Sequence, residues 1–157
     1  MYEEDLEMAE NLQNQAIELA ELMFKLLVKC EQKEYHLAEL NGLTHAEFRC
    51  QRFLGKVDVL NNSEIARIMN LSASRLTRII DGLVKKGYVA REINENDRRN
   101  MNIKLTTFGQ AKNKKMYDEY LHIHKQILSE LVEDDHRPML DGMHKLYIAL
   151  EKWTDNV

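Results

Sequence analysis

A single proline stands in 157 residues. That length suits one compact domain with a proper core. With 31% of residues charged as well, the scarcity of proline points to a mainly helical protein and away from a sandwich rich in turns. Long apolar runs are missing too. None approaches the roughly 18–20 residues of a membrane span, so no membrane partner is expected. The opening MYEEDLEMAE is acidic where a signal peptide would be basic and then oily, so a cytoplasmic location is expected. Cysteine is scarce: Cys30 and Cys50 lie far apart and form no CxxC pair, which excludes a disulfide framework or a zinc ribbon. Buried free thiols are the plain reading of both. No spacing brings a nucleophile to a base, or two carboxylates into one cleft, so neither an enzyme nor a cofactor is expected.

What is present is charge, unevenly distributed. Between Arg52 and Lys115 there are fourteen cations against six anions, a net of +8. With −4 overall, the two flanks together carry −12. A basic centre between acidic ends is the footprint of a phosphate-binding module on an acidic scaffold, with a merely solvated basic surface as the alternative.

The flanks read as long helices. Ala9, Leu12, Ala16, Leu19, Met23, Leu26 and Cys30 recur at steps of three and four, predicting a helix from about Glu4 to Cys30 with a heptad-like seam. Met139, Met143, Leu146, Leu150 and Trp153 repeat the rhythm near the other end, and Met116, Tyr120, Ile123 and Ile127 do so between them. Seams on long helices at both ends, with little else to cover them, suggest a homodimer, although each could pack within one chain.

The middle is built of shorter pieces. THAEFRCQRFL (Thr44 to Leu54) reads as a helix with Thr44 and Glu47 as a capping box. Asn61 and Glu64 have the same spacing before a short apolar face of Ile65, Ala66, Ile68 and Met69. A break at Asn70-Leu71-Ser72 follows, with Ser72 able to cap a second helix. There Leu76, Ile79, Ile80, Leu83 and Val84 form a buried stripe, and Gly87 supplies the stop. Tyr88 to Ile93 and Met101 to Leu105 read as strands around the polar turn Asn94 to Asn100, and Thr106 or Thr107 caps the long helix beyond. The order is that of a winged helix-turn-helix. In such a module the second helix inserts its first turns into the major groove. Ser72, Ser74, Arg75, Thr77 and Arg78 offer the chemistry to read base edges and hold phosphates. At the hairpin tip, Arg98 and Arg99 suit a narrow minor groove, and Asp97 suits orienting an arginine by a charge-assisted hydrogen bond.

These residues resemble the MarR (multiple antibiotic resistance regulator) family of transcription regulators. The likeness covers essentially the whole chain. It is strongest from LTHAEF (Leu43 to Phe48) through Asn62 to Gly109, and most specific at the DRR wing with its alternating strand and Leu105-Thr106-Thr107-Phe108-Gly109. The resemblance implies a mainly α fold with an α+β wing and a two-fold dimer with interlocked terminal helices. Residues 1–43 and 116–157 would form the helical dimerisation region and 44–115 the DNA-binding region. It further implies a double-stranded, pseudo-palindromic DNA operator and a repressor that a small-molecule effector releases. By position, the family's wing Asp and minor-groove Arg fall on Asp97 and Arg99, with Arg98 as a further phosphate contact, and the start of its recognition helix falls on Ser72 to Arg78. Tyr35, His36, Phe48 and Arg52 are candidates to line an effector pocket.

Three rival readings compete. A redox sensor requires an exposed, low-pKa thiol, whereas Cys30 lies on the apolar seam and Cys50 inside a core helix. A metal sensor would have to draw on Cys30, His36 and His45, or on His122 and His124, which two-residue spacing turns to different faces of one helix, so no metal site is expected. A winged helix kept only for protein–protein contact would not need the arginines on the second helix and the hairpin tip.

Overall fold

The computed structural model describes residues 2–56, 60–93 and 101–156, and of residues 2–6 and 60 the backbone alone. Helix α1 runs from Tyr2 to Leu40, ten residues past the expected end at Cys30. No glycine or proline interrupts it before Gly42, and the added turns place Leu37 and Ala38 in the core. It closes on Gly42, at φ +64°, with Leu43 N donating to Ala38 O at 2.9 Å. Only a residue without Cβ enters that left-handed region freely.

Helix α2 (His45–Leu54) carries the expected capping box: Glu47 N donates to Thr44 Oγ1 at 3.2 Å, and Thr44 N to Glu47 Oε2 at 2.7 Å. A two-residue strand, β1 (Leu60–Asn61), follows; it is too short to show alternation in the sequence. Helix α3 (Asn62–Ile68) has the second capping box, on Asn61 and Glu64. Asn70 makes the break at φ +52°, a conformation asparagine tolerates better than most residues. Helix α4 (Ala73–Lys85) starts from Ser72, whose Oγ accepts from Arg75 N at 3.3 Å. Gly87, at φ +76°, turns the chain out of it. Leu76, Ile79, Ile80 and Leu83 are buried as expected, but Val84 is not: it falls at the edge of the stripe and stays exposed.

Strands β2 (Val89–Ile93) and β3 (Met101–Leu105) pair antiparallel, with Arg91 opposite Ile103, and β1 adds to the far edge in the order β1-β3-β2. Helix α5 (Thr107–Ser129) is capped by Thr106, whose Oγ1 accepts from Gly109 N at 2.9 Å and donates to Gly87 O at 2.6 Å. That one hydroxyl ties the start of α5 to the turn that ends α4. Gly109 is required by close approach: a Cβ there would lie 1.8 Å from Tyr88 O. Helix α6 (Glu133–Thr154) completes the chain, with Glu133, Asp134 and Asp135 in its first turn facing the positive end of its dipole.

The chain forms two compact units, Met1–Met116 and Tyr117–Val157. The first holds the core, centred on Phe48, Leu37, Ile65, Leu76, Ile80, Leu83, Ile103 and Met116. In the second, no described residue is buried within the single chain. Met143, Leu150 and Trp153 lie exposed there, as do Met8, Leu12, Leu19 and Leu26 of α1.

Candidate nucleic-acid interface

Helices α3 and α4 and the β2–β3 hairpin make up the winged helix-turn-helix. The apolar stripe of α4 turns its opposite side outward, and there Ser74, Arg75, Thr77 and Arg78 are exposed, with Ser72 at the cap. The three hydroxyls are already oriented: Ser72 Oγ lies 3.3 Å from Ser74 Oγ, and Thr77 Oγ1 donates to Ala73 O at 2.9 Å. Arg75 and Arg78 stand one helical turn apart. They border a cleft of about 240 Å³ with Ile79 and with Thr44 and Glu47 from the first turn of α2. Among the described residues neither guanidinium is held in an ion pair. Two unpaired cations on an exposed ridge are what a phosphate backbone recruits. The five helix residues singled out from sequence therefore lie together at one end of α4, while Asp97, Arg98 and Arg99 lie outside the described residues.

Two braces were not legible in the sequence. Arg91 of β2 pairs with Asp81 of α4, fastening the wing to the recognition helix, and Lys104 pairs with Glu92 across the hairpin. Neither pair is at a helical or turn spacing, so each became visible only with the register of the sheet. A third link joins Lys86 to Glu47, with Nζ and Oε2 2.6 Å apart. Burial pushes the Glu47 carboxyl up. The hydrogen bonds from Lys86 and Thr44 and the Lys86 charge outweigh it and hold the group below its ordinary range.

The residues expected around an effector fall in two places: Arg52 lies over the Phe48 ring, 5.8 Å from its centroid, while Tyr35 and His36 are exposed on α1. Phe48 is fully buried and belongs to the core. Tyr35 is exposed and stacks on His45, with ring centroids 4.1 Å apart, and His36 is exposed beside it. Arg52 does border a cleft, of about 260 Å³, with Glu34, Arg49, Phe53 and Lys56, and donates to Glu34 Oε1 at 2.7 Å. Tyr35, His36 and Phe48 do not line it.

Of the two thiols, Cys50 is buried as expected, and burial, with the Glu47 charge adding to it, pushes its pKa up to about 12. Cys30 is exposed in the single chain, contrary to expectation, because the seam it belongs to is uncovered there. Among the described residues no group of three or more His, Cys, Asp or Glu side chains is placed to hold a metal ion. Nor is any helix of the described residues long and apolar enough to cross a membrane.

Comparison with known proteins bears directly on this arrangement. The family model described as "MarR family" matches residues 43–101, the stretch from the α2 cap to the start of β3. The transcriptional repressor MdtR of Bacillus subtilis is 31% identical over 119 residues, which cover 76% of this chain and 75% of that protein. The chain belongs to the MarR family. A second B. subtilis repressor, YetL, is 27% identical over 126 residues, covering 79% of this chain and 73% of its own. Among solved structures, a mutant MarR from E. coli in complex with operator DNA superposes with a TM-score of 0.67 at 25% identity, covering 85% of this chain and 96% of that one. The winged-helix architecture read from the MarR resemblance is thus the fold of the chain, including the long helices at both ends.

Proposed function

We propose that this MarR-family chain is a sequence-specific, double-stranded-DNA-binding transcription regulator that acts as a homodimeric repressor. The observation that carries the reading is the first two turns of α4, where Ser74, Arg75, Thr77 and Arg78 project from a helix whose opposite face is locked into the core. The relatives agree with it, since two are repressors and one solved neighbour carries operator DNA. Asp97, Arg98 and Arg99 would extend the same surface into the minor groove.

The exposed seams of α1 and α6 support a dimer in which residues 1–43 and 116–157 pair with a second copy and residues 44–115 hold the DNA. Burying Leu12, Leu19, Leu26, Met143 and Trp153 in that way would stabilise the assembly by roughly 25 cal/mol per Å² of apolar surface removed from water. Two recognition helices about one turn of DNA apart, or a multiple, would then meet successive major grooves of a pseudo-palindrome. Release by a small effector belongs to the same reading. An effector that binds better to a dimer of the wrong spacing lowers operator affinity by population shift. Of the four residues expected to line its site, Arg52 is the one bordering the cleft described above. The cytoplasm is the compartment inferred for this activity, and no catalytic step is part of it.

The test is fluorescence anisotropy with labelled duplex across a salt series. Affinity that favours one sequence over its shuffled counterpart and falls steeply with salt supports the reading. Binding that ignores sequence, or no binding at low salt, sinks it.

A further inference from the structure

The two ends of the recognition helix are held differently. Its first turns are held by the Ser72 cap and by the apolar packing of Leu76 and Ile79, whereas its C-terminal end is also clamped by polar contacts at the corner between α1 and α2. Lys86 Nζ donates to Gly42 O at 3.0 Å and to Glu47 Oε2 at 2.6 Å. Gly42 is the left-handed residue that ends α1, and Glu47 lies in the first turn of α2, only 6% exposed, with Oε2 also accepting from Thr44 N at 2.7 Å. The other carboxylate oxygen rests on α4 itself: a Cβ at Gly82 would lie 2.2 Å from Glu47 Oε1. Glycine is disfavoured inside a helix, and here it admits the carboxylate. The corner is fastened again on its α1 side, where Glu34 accepts from Arg52 at 2.7 Å and pairs with His45 at 3.1 Å.

We infer that Lys86, Glu47 and Gly82 form a key that fixes the angle between the recognition helix and α1, and so sets the half-site spacing a dimer accepts. The inference rests on the DNA-binding reading above. Its physical basis is leverage. Helix α1 has 39 residues, and at 1.5 Å per residue it is about 58 Å long. If the dimer grips α1 along its exposed seam, a slack of about 4° at the corner becomes a displacement of about 4 Å at the far end, more than one base-pair step of about 3.4 Å. Lys86 acts as a positioning residue, through the helix it holds, and touches no DNA.

The experiment uses the full-length chain. A duplex with two half-sites is first selected from a random pool by the wild-type protein. Its spacer is then lengthened and shortened by one and two base pairs. Affinities of the wild type, Lys86→Met, Lys86→Arg and Gly82→Ala are measured across the set, beside dimer mass, circular dichroism and salt slope. The wild type should discriminate against a one-base-pair change by about tenfold. Lys86→Met and Gly82→Ala should lose most of that discrimination with an unaltered salt slope and dimer mass, and Lys86→Arg should restore it. If Gly82→Ala fails to fold, Lys86→Met carries the test, since it adds no atom to the α2–α4 contact. Equal weakening on every spacer, an unchanged ranking of spacers, or a salt slope reduced by about one in Lys86→Met would each overturn the inference, the last by making Lys86 a phosphate contact. Should the wild type select no duplex at all, the DNA-binding reading falls and takes the spacing role with it.

Discussion

Arg78 stands one turn after Arg75 on the exposed side of α4, and its removal opens no cavity, because the apolar stripe lies opposite. Arg78→Ala should therefore weaken operator binding by about 1–3 kcal/mol with little effect on the melting temperature. Arg99→Ala should act in the same range while leaving the dimer intact, and unchanged affinity would remove the wing from the mechanism. The two thiols should part company as well. With its pKa pushed up to about 12 by burial, Cys50 should stay unreactive toward Ellman's reagent in the native state and react only on unfolding. A fast native reaction at Cys50, read by mass spectrometry of labelled peptides, would contradict its placement. Glu47 gives a pH dependence of definite sign. Its carboxyl sits below the ordinary 4.5 in the folded chain. It therefore contributes stability above that value, and the contribution is lost as pH falls through the lowered one. Melting temperatures recorded downward from pH 6 should show an acid-side decline that Glu47→Gln blunts. Parallel curves for the two proteins would mean that Lys86 and Thr44 do not hold the carboxylate in solution.

At the scale of elements, the start of α5 is the most sharply constrained place in the fold. Thr106 caps it while gripping Gly87, and Gly109 lies where a Cβ would strike Tyr88 O, a backbone atom that cannot swing aside. Gly109→Ala should destabilise the first unit by about 1–3 kcal/mol, seen as a lower urea midpoint with an unchanged slope. These same elements explain what could be read from sequence. The capping boxes at Thr44 and Asn61, the Ser72 cap and the stripe from Leu76 to Leu83 are local signals, carried within a few residues, and they appear where the spacing predicts. Strand β1 leaves no signal in the sequence because two residues carry no period. The end of α1 lies beyond the expected Cys30 because its seam loses regularity there, although the helix continues to Leu40, two residues before the next glycine. The exposed side chains of α4 proposed to meet DNA are legible for the same local reason. The links that hold α4 in place were not, since Asp81 with Arg91, and Glu47 with Lys86, meet only once helices and hairpin have packed. One clue was available in Gly82, an unexplained glycine in the middle of an otherwise strong helix. Phe48, a candidate pocket wall, is fully buried, and an aromatic at helical spacing serves core or pocket equally well in a sequence.

At the scale of the whole molecule, charge and apolar surface divide the labour. The basic middle carries the residues proposed to meet DNA. The acidic flanks carry apolar seams left uncovered in the single chain, which is why a second copy is the partner proposed for them. Sedimentation equilibrium should give a mass of two chains at micromolar concentration, and replacing Leu12 and Leu19 by glutamate should shift it toward one. The proposal that α4 reads a particular duplex is tested most directly by anisotropy of a labelled duplex from upstream of the chain's own gene, measured beside a shuffled duplex from low to physiological salt. The expected result is tight binding to the native sequence, a clear preference over the shuffled one and a steep loss of affinity with salt. Indifference to both duplexes at low salt would contradict it.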